Sequence, residues 1–321
     1  MIAELLSVKV SKKSIEAEDI VSFELVHPDG DILPAFTAGS HIDVHMGDKL
    51  IRQYSLSNDP AENHRYLLGV LKEVDGSGGS LTMHEQVKEG DLLQISQPRN
   101  NFHLLEEAEY SLLLAGGIGV TPILGMAQRL ASLGKNFDMH YCTRSRERCA
   151  YYDQLKISTF AEKVNIHFDN GPKEQRLDIP ALLRDYPEGA NVYVCGPAGF
   201  MEVVISNAEE HWPSGAVHRE YFSADPAAGH DNDGSFEVKI ASSGEIYTIP
   251  AEQSIVEALL EHDIEIPVSC EQGICGTCLT AVIEGEPEHR DMFLSEAEHD
   301  ANDQMTLCCS RSRSDILVLD L

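Results

Sequence analysis

Polar and apolar positions change rhythm three times along the chain. Over roughly the first hundred residues they alternate in short runs, as in Ser22-Phe23-Glu24-Leu25-Val26 and His41-Ile42-Asp43-Val44. That period of two suits half-buried antiparallel strands, and several at short spacing predict a small barrel. Near residue 104 the texture shifts. Ser111-Leu112-Leu113-Leu114-Ala115 is continuously apolar, as a strand buried on both faces requires. A glycine turn and a helical stretch from Pro122 to about Leu133 follow, then strands at 138–143, 164–169 and 191–195 with helical segments between them. Alternating strand and helix predicts a parallel sheet in an α/β domain. After Phe222 the run Ser223–Gly234 is small, polar and turn-forming, and reads as a linker. Beyond it come strands at 235–241 and 246–249, a helix from about Ser254 to His262, and a cysteine-rich loop. The division expected is 1–103, 104–224, a linker at 225–234, and 235–321.

Charge changes the picture by exclusion. The formal charge is −29, which argues against binding nucleic acid or an anionic membrane through a basic field. Residues 232–321 hold 19 Asp/Glu against 4 Lys/Arg, so about half the excess sits there. It is either a solubilising surface or an acidic docking face. With 42% hydrophobic residues each domain can bury a core. No apolar stretch reaches membrane-spanning length, and the start lacks a basic-then-apolar leader. A cytoplasmic monomer is expected.

Of eight cysteines, five crowd the C-terminal segment. Cys270, Cys275 and Cys278 followed by Cys308 form C-x4-C-x2-C…C, the spacing of plant-type [2Fe–2S] ferredoxins. Gly273 and Gly276 allow the sharp turn that aims three thiolates at two irons. A zinc site is the alternative, but zinc favours two short-spaced knuckles, and only one is present. Cys309 rivals Cys308 as fourth ligand, since neighbours on a strand face opposite sides.

A one-electron cluster needs a source of electrons. Arg52-Gln53-Tyr54-Ser55 offers a planar guanidinium for a phosphate, an aromatic face and a hydroxyl, although the tetrapeptide alone is equally an ordinary strand. Gly76-Ser77-Gly78-Gly79-Ser80 could bring backbone N–H groups to the same phosphate. Gly116-Gly117-Ile118-Gly119-Val120-Thr121-Pro122 follows a strand and opens a helix, so its amides would face a pyrophosphate. Cys195-Gly196-Pro197-Ala198-Gly199-Phe200-Met201 does so a second time.

With these motifs in this order, the chain resembles the phthalate dioxygenase reductase and vanillate O-demethylase reductase family over essentially its whole length. The resemblance implies an antiparallel flavin-binding β-barrel, a Rossmann-like nicotinamide-binding α/β domain, and a C-terminal β-grasp ferredoxin domain. It implies FMN held by Arg52, Gln53, Tyr54, Ser55, Gly69, Val70, Leu71, Ser77, Gly78, Gly79 and Ser80, with Thr121 and Phe222 near the ring. A basic residue common in the glycine turn is Ser77 here, leaving more of the phosphate charge to Arg52. It implies NADH across Gly116, Gly117, Gly119, Pro122, Cys195, Gly196, Pro197, Phe200 and Met201. Ser55, Thr121 and Cys195 would stand at the reacting centre, Cys195 without acid–base work. Cys270, Cys275, Cys278 and Cys308 would hold the cluster, near about −400 mV. The implied function is electron transfer from NADH through FMN and the cluster to the terminal component of a Rieske non-haem iron oxygenase acting on an aromatic compound. A cytochrome P450 reductase and a non-catalytic redox sensor are the alternatives. Arg144 and Arg146, after the strand ending at Thr143, could favour NADPH, whereas the resemblance points to NADH.

Overall fold

The structure, a computed structural model, describes residues 5–47, 50–74, 78–185, 187–213, 215–222 and 234–321. The chain divides into two units, Met1–Phe222 and Ser223–Leu321. Apart from Gly234, the expected linker lies outside the described residues.

The larger unit opens with β1 (Leu6–Ala17), β2 (Ile20–Val26), β3 (Ser40–Met46), β4 (Leu50–Ser55), β5 (Tyr66–Leu71), helix α1 (Gly79–Glu85), β6 (Leu92–Ile95) and β7 (Arg99–Asn100). All the pairings are antiparallel, in the order β4-β3-β6-β1-β2-β5 with β7 beside β3. A bridge between Leu56 and Leu68 joins the two ends of that order and closes the barrel. Alternation decides its inside: Val8, Val10, Phe23, Leu25, Ile42 and Val44 fill one core.

Next come β8 (Tyr110–Gly116), α2 (Val120–Ser132), β9 (Phe137–Thr143), α3 (Tyr152–Ile157), β10 (Val164–Phe168), α4 (Ile179–Arg184), β11 (Ala190–Cys195), α5 (Ala198–His211) and β12 (Val217–Glu220). The sheet is parallel throughout, in the order β10-β9-β8-β11-β12. The apolar run of β8 is explained by its two faces. Leu113 and Ala115 enter the core under α2, while Leu112 and Leu114 enter the core under α5. Strand order reverses between β8 and β11, and the carboxyl ends at such a switch point form a ligand crevice.

The smaller unit contains β13 (Phe236–Ile240), β14 (Ile246–Ile249), α6 (Ile255–Leu260), β15 (Leu279–Glu284), β16 (Pro287–Glu288), α7 (Glu296–Ala301), β17 (Gln304–Thr306), β18 (Arg311–Ser312) and β19 (Ile316–Leu319). Its main sheet runs β14-β13-β19-β15-β17, with β13 and β19 parallel. Helix α6 starts at a capping box, Ser254 accepting from Glu257 N–H while the Glu257 side chain returns to Ser254 N–H. Its buried Ile255, Ala258 and Leu259 share a core with β13 and β19.

Candidate electron-transfer sites

At the switch point the loops after β8 and β11 touch through glycine. A Cβ on Gly119 would strike the Cys195 carbonyl and stand 2.7 Å from Gly196 N, and one on Gly196 would stand 3.0 Å from Gly116 Cα. Only glycine allows two backbones so close. Gly117 takes φ +53° with open space where a Cβ would be, so the loop presents bare backbone outward.

The barrel contributes β4 to the same unit. Ser55 is buried, and its Oγ donates to Glu220 Oε2 at 3.3 Å. Glu220 ends β12 in register with Cys195, so Ser55, Cys195 and Glu220 converge from three strands. Burial pushes the Glu220 carboxyl up to about 8, the Ser55 hydrogen bond opposing it. Glu220 is therefore largely protonated at neutral pH. Burial, reinforced by Glu220, pushes the Cys195 thiol far above its usual range, so it is a neutral thiol. Barrel and sheet are fitted together at Gly69, where a Cβ would collide with the Tyr151 hydroxyl and stand 2.7 Å from Thr121 Cγ2.

In the smaller unit four cysteines share one locality. The Cys270 sulfur contacts those of Cys275 and Cys308, and the Cys278 sulfur contacts that of Cys308. These contacts draw Cys270 and Cys278 down and Cys275 and Cys308 up, as sulfurs that titrate as one set do. The loop between them turns through positive φ at Glu271, Gly273 and Gly276. Backbone amides point at sulfur: Gln272 N–H donates to Cys270 Sγ and Thr277 N–H to Cys275 Sγ, each at 3.4 Å. Cys308 and Cys309 stand in a turn after β17, not on a strand, so strand alternation does not separate them. The Cys308 sulfur contacts those of Cys270, Cys278 and Cys309, and the Cys309 sulfur also lies 3.2 Å from Thr306 Oγ1 and 3.9 Å from Ser310 Oγ, against Gly273.

Comparison with known proteins places a family domain on each of the two units. Residues 113–205 match the oxidoreductase NAD-binding domain, and residues 238–313 match the 2Fe-2S iron-sulfur cluster binding domain. The chain is 51% identical to a vanillate O-demethylase oxidoreductase of Pseudomonas sp. (strain HR199 / DSM 7063), over 99% of this chain and 100% of that one. It superposes on the solved phthalate dioxygenase reductase with TM-score 0.76 at 39% identity, covering 99% and 98% of the two chains. The chain belongs to the phthalate dioxygenase reductase family. It is an NADH-dependent oxidoreductase whose cofactors are FMN and a [2Fe–2S] cluster. It is also similar, at TM-score 0.87 and 35% identity, to a type IV self-sufficient cytochrome P450 monooxygenase, covering 99% of this chain and 41% of that one.

The residues present fit a flavin. Gln53 Nε2 and His41 Nε2 are buried with no partner among the described residues, on the cross-strand pair β4 and β3. Burial, then Arg99, holds His41 down to about 4, so its ring is neutral at pH 7. Burial keeps the Tyr54 phenol protonated, leaving a neutral ring beside Arg52. A Cβ on Gly79 would run into the Arg52 side chain, so Arg52 and the glycine turn meet. Ser77 lies outside the described residues, and Gly78 has φ +87°. The Ser80 hydroxyl is taken up by the Glu73 backbone, accepting from its N–H at 3.0 Å and donating to its C=O at 3.3 Å.

Other expected residues are placed less directly. Val70 lies in the barrel core and Met201 in the core beneath α5. Pro122 is buried in the first turn of α2. Leu71 packs against the α/β core. Pro197 and Phe200 crowd Gly116, each 2.9 Å from where its Cβ would be. Phe222 is 38% exposed, at the end of the larger unit. Thr121 is buried and donates to Ile118 C=O at 3.1 Å. The residue that sequence reasoning missed is Glu220. Nothing in its local sequence separates it from other acids; the only pointer was its place two residues before Phe222.

Proposed function

We propose that the chain serves a separate Rieske non-haem iron oxygenase acting on an aromatic compound by dioxygenation or O-demethylation. The observation that carries this reading is the 51% identity to a vanillate O-demethylase oxidoreductase, against 35% to the self-sufficient P450. A bound FMN would supply the conversion of one hydride's electron pair into single electrons that a [2Fe–2S] cluster can carry. The chain's residues supply the rest. Gly116, Gly117, Gly119 and Gly196 give nicotinamide dinucleotide a backbone-lined seat at the switch point. Arg52 holds flavin phosphate. Ser55 donates to Glu220 at 3.3 Å, and Glu220 would hold a proton beside a bound flavin. Cys195 and Thr121 fill the crevice and exclude water. Cys270, Cys275, Cys278 and Cys308 ligate the cluster. The domains proposed are a flavin barrel at 1–103, a nicotinamide domain at 104–224, a linker at 225–234 and a ferredoxin domain at 235–321.

Of the two candidates for a 2′-phosphate, Arg144 is exposed and Arg146 is already engaged. Its guanidinium carbon lies 3.5 Å from the Tyr152 ring centroid, and its Nη2 is 3.1 Å from Asp153 Oδ1. That supports NADH over NADPH.

The partner docks on the acidic face of the ferredoxin domain, and the protein works as a cytoplasmic monomer. Among the described residues no helix is long and apolar enough to cross a membrane. Glu271 and Glu284 are exposed acids with no ion pair among the described residues, whereas Glu286 pairs with Arg313 and Glu288 with Arg290. The test is reconstitution: a vanillate-demethylating oxygenase should regain NADH-driven turnover when this protein is added. Restoration of a cytochrome P450 instead, with no response from any Rieske oxygenase, would favour the P450 reading.

A further inference from the structure

The ferredoxin unit carries a second group of metal-binding side chains that the cysteines do not use. His289 and Asp291 lie in the segment after β16, and His299 lies on α7. The Asp291 side chain is fully buried and that of His289 is 9% exposed. Asp291 Oδ2 accepts from Phe293 N–H at 3.1 Å and Leu294 N–H at 2.7 Å, and lies 3.4 Å from His299 Nε2. Its Oδ1 is buried without a hydrogen bond, and so is His289 Nδ1.

The orientation of the His289 ring follows from its other nitrogen. Nε2 lies 3.2 Å from Asn302 Oδ1, and Asn302 Nδ2 donates elsewhere, to Asp300 C=O at 3.5 Å. An amide oxygen only accepts, so Nε2 points its N–H at Asn302 and Nδ1 faces the carboxylate. Nδ1 stands 3.7 Å from Asp291 Oδ1. Both atoms are buried and neither has a hydrogen bond, so one cation between them would satisfy the two at once.

His299 Nε2 completes a triangle, 3.3 Å from Asp291 Oδ1, and the three atoms all lie within 4.8 Å of one another. Nitrogen and oxygen ligands about 2.0–2.1 Å from a tetrahedral zinc stand roughly 3.3 Å apart. The two imidazoles stack with centroids 4.4 Å apart and planes at 19°. One ring must therefore turn about its Cβ–Cγ bond to aim both lone pairs at a common point, and His299, 29% exposed, has room to do so. Asn302 is the outer partner that fixes the His289 tautomer, as outer partners of metal-bound histidines do.

We propose that His289 Nδ1, Asp291 Oδ1 and His299 Nε2 bind one divalent cation of the zinc class, with a fourth position left for water. The cation ties α7 to the segment that buttresses the cysteine loop. Met292 N–H donates to Gly273 C=O at 3.0 Å, and the Phe293 ring fills the space where a Gly276 Cβ would be. The site is structural and separate from the four cysteines.

The test uses the full chain with its iron–sulfur cluster in place, freed of loose metal by a mild chelator and titrated with Zn²⁺ in a calorimeter. Metals are counted by mass spectrometry. The wild type should take up one zinc per chain beyond its cluster iron, with a raised midpoint for thermal unfolding. His299→Ala and His289→Ala should each weaken zinc binding by at least about tenfold while the cluster absorption is unchanged. Asp291→Asn is a poorer test, because Asp291 also caps Phe293 and Leu294. No zinc uptake by the wild type overturns the proposal. So does equal affinity in His299→Ala, which would put the ion on other groups, such as the free thiols.

Discussion

The crevice of the larger unit and the cysteine loop of the smaller one are assembled from very different lengths of chain. The crevice draws Ser55 from β4, Gly119 from the loop after β8, Cys195 from β11 and Glu220 from β12, so that a hydrogen bond spans 165 residues. The loop takes three of its four cysteines from the nine residues 270–278, and only Cys308 comes from afar. A site made by one short loop tolerates adjustment elsewhere but depends on each of its ligands. A site made by four strands survives the loss of one side chain but depends on backbones meeting without a gap.

Four experiments bear on this contrast. The largest effect belongs to the loop. Cys308→Ser should abolish the visible absorption and the low-temperature electron-spin signal of the cluster while the flavin stays bound, whereas Cys309→Ser should keep both. Bleaching by Cys309→Ser alone would reverse the assignment.

The second strikes the crevice through its backbone. Gly119→Ala drives a Cβ into the Cys195 carbonyl and the Gly196 amide, atoms that cannot rotate away. Overpacking of this kind costs about 1–3 kcal/mol, and kcat/KM for NADH should fall by about a hundredfold if most of that appears at the nucleotide seat. The cluster spectrum should not change. Loss of cluster absorption in this variant would show that the two sites are not independent.

Third, Glu220→Gln removes one side chain and leaves the strands in place. Hydride transfer, followed as flavin bleaching in stopped flow, should slow by about tenfold. The wild-type rate should show an inflection near pH 8 that the variant lacks. Stability provides a second reading. The folded-state value is raised, from 4.5 to about 8. Its stabilising contribution is therefore complete below pH 4.5 and is lost as pH rises through about 8. Glu220→Gln should remove that decline from the unfolding midpoint measured across the same window.

The smallest effect is expected at the surface. Glu271→Lys and Glu284→Lys should slow electron delivery to the oxygenase by a few fold at low salt. The difference should fade near physiological ionic strength, where the Debye length is about 8 Å. NADH oxidation with a small uncharged acceptor should be unaffected. Charge reversal at Glu286 or Glu288 should do less, because Arg313 and Arg290 already neutralise them. A transfer rate indifferent to salt and to all four reversals would leave docking to apolar contacts.

How much of this was legible beforehand follows from the same contrast. The apolar run of β8 announced a strand covered on both faces, and Leu112 and Leu113 do enter different cores. The helix expected from about Ser254 is α6, which begins at Ile255. The cysteine spacing named a cluster because ligand geometry within one loop is set by how many residues separate the thiols. What remained open was of another kind. The choice between Cys308 and Cys309 belongs to the turn after β17, where the two sulfurs touch each other and Cys309 also meets Thr306, Ser310 and Gly273. The placement of Val70 and Met201 in cores depended on which side of their elements faced inward.

By itself, then, the sequence determined the order of barrel, parallel sheet and ferredoxin fold, and the identity of the cluster, because periodicity and short spacings are local properties of a chain. Only the tertiary structure decided that Glu220 meets Ser55 and Cys195, that Gly69 must admit Tyr151 and Thr121, and that His289, Asp291 and His299 bring their ligand atoms within 4.8 Å of one another. Those meetings join residues whose separation along the chain carries no signal. A carboxylate acquires a shifted proton affinity only when packing removes water and brings its neighbours within a few ångströms.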